Sequence, residues 1–384
     1  MCALALGKQG IPVVVCEAAQ GLALDLRAGT FHPPTLEMMA PYGITARMHE
    51  QGISVRHWQI RDRAGEMVAQ FDLGLLAGET PYPYRLHLEQ HRLTPIQLDI
   101  LRRETSAQVR FGHAVTGVEQ LGDRVRVQLA TEAEPATIDA SWVIAADGGR
   151  STVRKALGVE FEGFTWPEQF LVASTPYDFS RYGFALNCYI ADPAEWVALF
   201  KMPDSGPPGL WRAVFPTVHQ DDDSALDPEN VERKMQAFVA RPTRYDIRYK
   251  SVYRVHQRVC KTFRVGRVLL AGDAAHINNP IGAFGLNSGI HDAINLAEKL
   301  GRIWRGESDE SQLDLYVRQR RTAAIDHVQA MSIRNLRLME ERDPQVQRER
   351  LKELIAIADD PVRARQHLLL TSMISSVRQA VEIQ

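Results

Sequence analysis

The chain opens on a helical pattern, ALALGKQG, and runs at once into IPVVVCE, Ile11 to Glu17, an unbroken β-branched stretch ending in an acidic residue. Such a run suits a parallel strand buried on both faces, and the glycine before it closes the helix. The design returns in WVIAADGG (residues 142–149) and GRVLLAGDAAH (residues 266–276), where an apolar strand ends in Asp and small residues and a helix follows. Polar residues gathered at strand C-termini predict a doubly wound α/β sheet that binds its ligand at that edge. Between these segments the period shortens. RVRVQL (Arg124 to Leu129), EWVALFKM (Glu195 to Met202), GLWRAVFPT (Gly209 to Thr217) and YDIRYKSVYRV (Tyr245 to Val255) alternate in places, with turn-rich stretches between some of them. They predict a mostly antiparallel sheet with one solvated face. After Gly306 the chain turns rich in Arg, Glu, Leu and Gln and reads as helix to its end.

The expected fold class is therefore α/β: a Rossmann-like doubly wound sheet, an inserted β-sheet domain, and C-terminal helices. The corresponding division assigns 1–55, 86–160 and 255–320 to a discontinuous nucleotide-binding domain, 56–85 and 161–254 to the β-sheet domain, and 321–384 to a helical region. With 384 residues, 45% apolar and 24% charged, the chain carries enough apolar residues for a substantial core. A net charge of −2 points away from nucleic acid and anionic membranes. No apolar run reaches the ~20 residues needed to span a bilayer. The four scattered cysteines, Cys2, Cys16, Cys188 and Cys260, suit a reducing cytoplasm.

Candidate chemistry concentrates in RVLLAGDAAHINNPIGAFGLNSGIHDAINLAEKL, Arg267 to Leu300. Asp273 ends a strand, where a carboxylate accepts hydrogen bonds from hydroxyl groups. Pro280, Gly282, Gly285 and Gly289 let backbone pass close to a flat ligand. Ile290, Ala293, Ile294, Ala297 and Leu300 recur at helical spacing, so a helix starts near Asn287 with its free N–H groups facing the glycine loop. In AADGGRSTVRKALG, Asp147 and Gly148 form a turn, and Ser151 or Thr152 caps the next helix. Arg150 and Arg154 fit exposed charges on that helix. His276 has no second ligand at metal spacing, so no metal site is expected. Ser288 stands one place too late for a GxSxG nucleophile.

These segments resemble the FAD-dependent aromatic-ring hydroxylases, the para-hydroxybenzoate hydroxylase-like single-component flavoprotein monooxygenases, over nearly the whole chain. The resemblance implies FAD as cofactor, NADPH or NADH and O2 as co-substrates, a small aromatic substrate, and hydroxylation of a phenolic or other electron-rich ring through a flavin C4a-hydroperoxide. It places Asp273 at the flavin's ribityl or phosphate region, with Gly285, Leu286 and Asn287 along the isoalloxazine ring. Asp147 and Gly148 fall near the pyrophosphate. Glu17 takes the place of the acidic residue on the adenosine ribose, Arg27 in DLRAGTF that of a flavin-contacting arginine, and Gln90 in HLEQHRL approaches the flavin before a helix with Thr94 as N-cap and Pro95 at its first position. Pro280 and Gly282 make the loop beside the flavin, and no side-chain nucleophile is required. Arg212, on a substrate-domain strand, is either a carboxylate-binding residue or solvent-facing. Nucleic acid and membranes are not expected partners, and a homodimer stays open. The family's first strand and GxGxxG loop precede the register of Met1, so the nucleotide-binding unit reads as truncated at its start. The alternatives are a related flavin oxidoreductase that does not hydroxylate, or a truncated remnant unable to hold FAD.

Overall fold

The structure, a computed structural model, describes residues 1–24, 28–63, 65–192, 194–218 and 221–384. The opening helix Cys2–Gly7 packs on the long helix Phe284–Trp304, burying Leu4, Ala5 and Leu6. Strand Val14–Cys16 pairs in parallel with Gln108–Arg110, and Val143–Ala145 in parallel with Val268–Leu270. An antiparallel ribbon, Ala114–Gln120, Val125–Ala130 and Ala136–Ala140, lies beside them, so RVRVQL belongs to its own small sheet. One core gathers Ala5, Leu6, Val268, Leu269, Ile294 and Ala297. The helical repeat of the GLN segment thus faces the strand that carries the GD turn.

The second layer is an eight-stranded sheet. In spatial order its strands are His276–Ile277, Tyr249–Cys260, Phe161–Thr175, Leu210–Thr217, Val197–Met202, Asn187–Ile190, His57–Arg61 and Met67–Asp72. All neighbours are antiparallel except His57–Arg61 with Asn187–Ile190. Over its middle its strands alternate between two cores, so both faces are packed there. Val172, Ala198 and Val214 pack with Leu336, Leu354 and Leu368 of the C-terminal helices. Leu171, Leu199 and Phe215 pack with Val231 and Met235 of helix Pro228–Phe238. The expected solvated face is covered because that helix, amphipathic and capped by Asp227, lies across it.

From Ser311 to Met339 the chain winds as one helical stretch with a π-helical segment at Ala323–Gln329. Two further helices, Pro344–Ala358 and Pro361–Thr371, pack over the large sheet, and Ile374–Glu382 follows. No helix among the described residues is long and apolar enough to cross a membrane.

Candidate active site

The DG and GD turns are laced together. Asp147 follows its strand and accepts from the Ser151 hydroxyl and from Val153 N–H at 3.1 Å. Ser151 is the N-cap, its Oγ accepting from Arg154 N–H. Gly148 takes a left-handed φ of 78°, which this tight turn requires. Arg154 is buried: its guanidinium lies 3.9 Å over the Phe161 ring and donates to the carbonyls of Ala274 and Gly149, binding one turn to the other. The sequence pattern placed it among exposed helix charges; the parallel pairing of the two strands brings the Ala274 carbonyl within its reach. Asp273, exposed, sits in the single turn Gly272–Ala274 at the end of strand Val268–Leu270.

Beneath that turn lies a polar network centred on Asp292. Asp292 accepts from Gly272 N–H, from His276 Nε2–H at 2.8 Å and from Arg320 Nε at 2.6 Å. Burial alone would raise the Asp292 carboxyl, but His276 and Arg320 hold it well below the usual carboxylate range. His276 is therefore a scaffold residue, and no cluster that could hold a metal ion occurs among the described residues. Gly289 meets the Gly272 turn so closely that a Cβ there would lie 3.3 Å from Gly272 Cα.

The helix of the GLN segment begins at Phe284, one turn before Asn287. Ala283, left-handed at φ 60°, ends the preceding loop, and its N–H bonds back to Pro280. Alanine offers no side-chain cap, so the N–H groups of Phe284, Gly285 and Leu286 stay open at the positive end of a 21-residue helix. Asn287 sits inside the helix and spends its whole amide on structure. Its Oδ1 accepts from His32 N–H and Thr35 Oγ1, while its Nδ2 donates to the carbonyls of Thr30 and Ala283. The amide thus pins strand Thr30–Phe31 to the helix start. Gly282, at φ 105°, accepts from His32 Nε2–H, and a Cβ there would strike the Phe284 ring.

The other expected residues spread outward. Glu17 is exposed at the end of strand Val14–Cys16, its carboxylate accepting from Ala19 N–H. Gln90 starts its helix, with its N–H on the Ala28 carbonyl, so that helix begins before Thr94 and carries Pro95 within it. The bond to Ala28 and the turn out of strand Arg85–His87 set this earlier start. Arg27 lies outside the described residues. Arg212 is buried, on the strand face it shares with Val214, and its charge acts on His87; it does not line the cavity described next.

A cavity of about 590 Å3 lies between the large sheet and the C-terminal helices. Ile281, Gly282 and Phe284 of the glycine loop form one wall, Trp58, Ile60 and Tyr189 come from the sheet, and Ile333, Leu354 and His367 come from the helices. Arg85 enters from strand Arg85–His87. Neither Arg85 nor Tyr189 was singled out from the sequence; the only signal was the aromatic stretch TPYPYRL. Its Tyr82 and Tyr84 pack instead around His49, Tyr84 Oη bonding His49 Nε2 at 2.7 Å. The size suits a one- or two-ring ligand.

An uncapped helix start, strand-end carboxylates and a glycine loop bordering a cavity are a donor set that fits a flavin dinucleotide. The family described as FAD binding domain matches residues 1–331. The chain belongs to this family and, within it, to the flavin-dependent aromatic monooxygenases of Rossmann-like fold with FAD as cofactor. It is 33% identical over 89% of its length to para-nitrophenol 4-monooxygenase of Pseudomonas sp. (strain WBC-3), covering 85% of that protein. It is 31% identical over 89% of its length to 6-hydroxy-3-succinoylpyridine 3-monooxygenase HspB of Pseudomonas putida, covering 86% of it. Among solved structures, p-nitrophenol 4-monooxygenase PnpA from Pseudomonas putida DLL-E4 superimposes with a TM-score of 0.91 at 32% identity, over 96% of this chain and 93% of that one.

Proposed function

We propose that the chain hydroxylates a small phenolic ring with NAD(P)H and O2, in the cavity walled by Ile281, Gly282 and Phe284. The balance is one ring C–H, O2, NAD(P)H and a proton giving one ring C–OH, water and NAD(P)+. The chemistry FAD supplies when bound is electron transfer from NAD(P)H to O2, with one oxygen atom going to the ring. The protein's task is binding and environment. Glu17 and Asp273 accept from the cofactor's hydroxyls, Asp147 and Gly148 shape the turn beside its pyrophosphate, and Gln90, Pro280, Gly285 and Leu286 line its ring. The open N–H groups at Phe284, Gly285 and Leu286 favour negative charge there. Residues 1–55, 86–160 and 255–320 form the cofactor-binding part, and 56–85 with 161–254 the substrate sheet. The four free cysteines fit a reducing cytoplasm.

One observation carries the reading: the cavity opens on the same loop, at Ile281, Gly282 and Phe284, that the long helix points its free N–H groups toward. Phe284, Ile333, Leu354 and Ile357 give it an apolar wall for a ring. The test is turnover of 4-nitrophenol and unsubstituted phenol under 18O2 by FAD-loaded protein. The ring product is expected to carry one 18O atom, in place of a ring hydrogen or, at a nitro-bearing carbon, with nitrite released. NAD(P)H oxidation that leaves every ring unlabelled would overturn the hydroxylase reading.

A further inference from the structure

Arg85 is an anomaly by ordinary standards of burial. Its side chain is 3% exposed, yet no carboxylate pairs with it, and its Nε and Nη1 have no hydrogen-bond partner among the described residues. Its neighbours do not neutralise it. The guanidinium lies 5.5 Å from the Trp58 ring, and the Tyr189 hydroxyl stands beside it and beside the Gly282 N–H, a polar contact that leaves Nε and Nη1 open. Burial draws the Arg85 pKa down and Tyr189 only partly offsets this. The groups that face it are otherwise neutral or cationic. His87 lies on its own strand, His32 follows strand Thr30–Phe31, and His367 and Arg334 come from the C-terminal helices. The wider cavity adds Arg337, Arg350 and one acid, Glu353, with Arg350 paired to Glu341 at 2.9 Å. Trp58 Nε1 and His367 Nε2 are likewise without partners. A buried charge with open donors costs stability unless something supplies the missing acceptor.

We propose that Arg85, flanked by Tyr189, is the anion clamp of this cavity: it receives a negatively charged oxygen on the aromatic ring, a phenolate oxygen first of all, and so selects ionised over neutral rings. The assignment rests on the reading of the cavity as the ring-binding site. A phenol entering this pole gives its proton to water, and the oxygen takes the free Nε and Nη1 donors in a charge-assisted pair. The ring left behind is richer in electrons than the neutral phenol, which suits attack by an electrophilic oxygen. Arg334 and Arg337 draw anions toward the pole.

4-Nitrophenol is a direct probe, because its phenolate absorbs in the visible and its neutral form does not. Titrated into FAD-loaded and FAD-free protein at a pH below its own pKa, it is expected to bind with the phenolate band. Arg85→Met is expected to abolish that band and weaken binding at least roughly 30-fold, the loss seen when one member of a buried charged pair is removed. Nitrobenzene, which lacks the hydroxyl, should bind the parent and the variant alike, and Arg85→Lys should keep part of the band. The Met variant should melt no lower than the parent, since it deletes an uncompensated buried charge; a merely structural arginine would lower the melting point. Arg85-dependent binding of benzoate without that of 4-nitrophenol would support the clamp and assign it to a carboxylate. Bound 4-nitrophenol with a neutral spectrum, or an Arg85→Met protein that keeps band and affinity, would overturn it. These binding readouts stand whether or not oxygen is transferred, so failure of the hydroxylase reading is seen separately.

Discussion

Arg320 and Arg85 are both arginines buried near the glycine loop, and their surroundings treat them in opposite ways. Arg320 reaches Asp292 at 2.6 Å and the Ser288 hydroxyl at 3.1 Å, and Asp292 in turn holds His276 and the Gly272 N–H. Each charge there has its complement, although His276 Nδ1 has no partner among the described residues. Arg85 has a ring face, a nearby hydroxyl and several histidines, but among the described residues no carboxylate and no acceptor on Nε or Nη1. The first arrangement is a scaffold that stays as it is when the site fills. The second is a charge left open toward a cavity, and its complement has to arrive with a ligand. Burial alone does not separate structural from receptive polar groups; satisfaction of their hydrogen bonds does.

The largest expected effect breaks that comparison from the scaffold side. Asp292→Ala leaves Arg320 and His276 buried without their carboxylate and should cost about 3–5 kcal/mol in urea unfolding, the range for breaking a buried pair. Arg85→Met, at similar depth, should cost nothing. If Asp292→Ala unfolds at the parent's urea midpoint, the network is not the scaffold described.

Asn287→Ala comes next. The amide is neutral but fully used, and its loss orphans the Thr30 carbonyl and the His32 N–H in a buried setting. A loss of about 2–3 kcal/mol is expected, from groups left unsatisfied. Because the same bonds fix strand Thr30–Phe31 against the helix start, bound FAD should exchange faster in the variant. Flavin release on gel filtration measures this, and unchanged retention would mean that the strand holds its place without the amide.

How much of this was legible beforehand depends on the range of the interaction. The strand-turn-helix units around Asp147 and Asp273 are local, so apolar runs ending in Asp-Gly or Gly-Asp disclose them. The helix start was read one turn late because a left-handed Ala283 leaves no mark in composition, and glycine was the natural candidate for such a position. Proline at a first helical position is a fair rule, yet Pro95 lies inside Gln90–Glu104 because the chain leaving strand Arg85–His87 starts the helix early. Arg154 looked like a surface charge because the carbonyl it serves, Ala274, is 120 residues away. Arg85 was invisible for a deeper reason. Its importance lies in what fails to reach it after Trp58, Tyr189, Gly282 and His367 have converged, and no spacing along the chain records a missing partner.

The smallest effect sharpens the contrast through pH. His87 and His367 are pushed down to about 4, chiefly by burial, with Arg85 adding to both; His32 lies well below its ordinary value, also by burial first and Arg85 next. His291 is lowered to about 3, by burial first and by Arg320 rather than Arg85 next. In the unfolded chain each titrates near ~6.5. Above that pH both states are neutral and the full stability is present. As pH falls from about 6.5 toward 4 the unfolded state takes up protons that the native state refuses, so stability declines, and below the folded values the decline from these groups ends. Melting points should therefore drop across that window. In Arg85→Met the native values of His32, His87 and His367 move back up, so the drop should shrink. His291 should keep its part of the slope, since Arg320 is untouched. Equal slopes in parent and variant would mean that Arg85 does not bear on these rings, and that the two arginines differ less than their partners suggest.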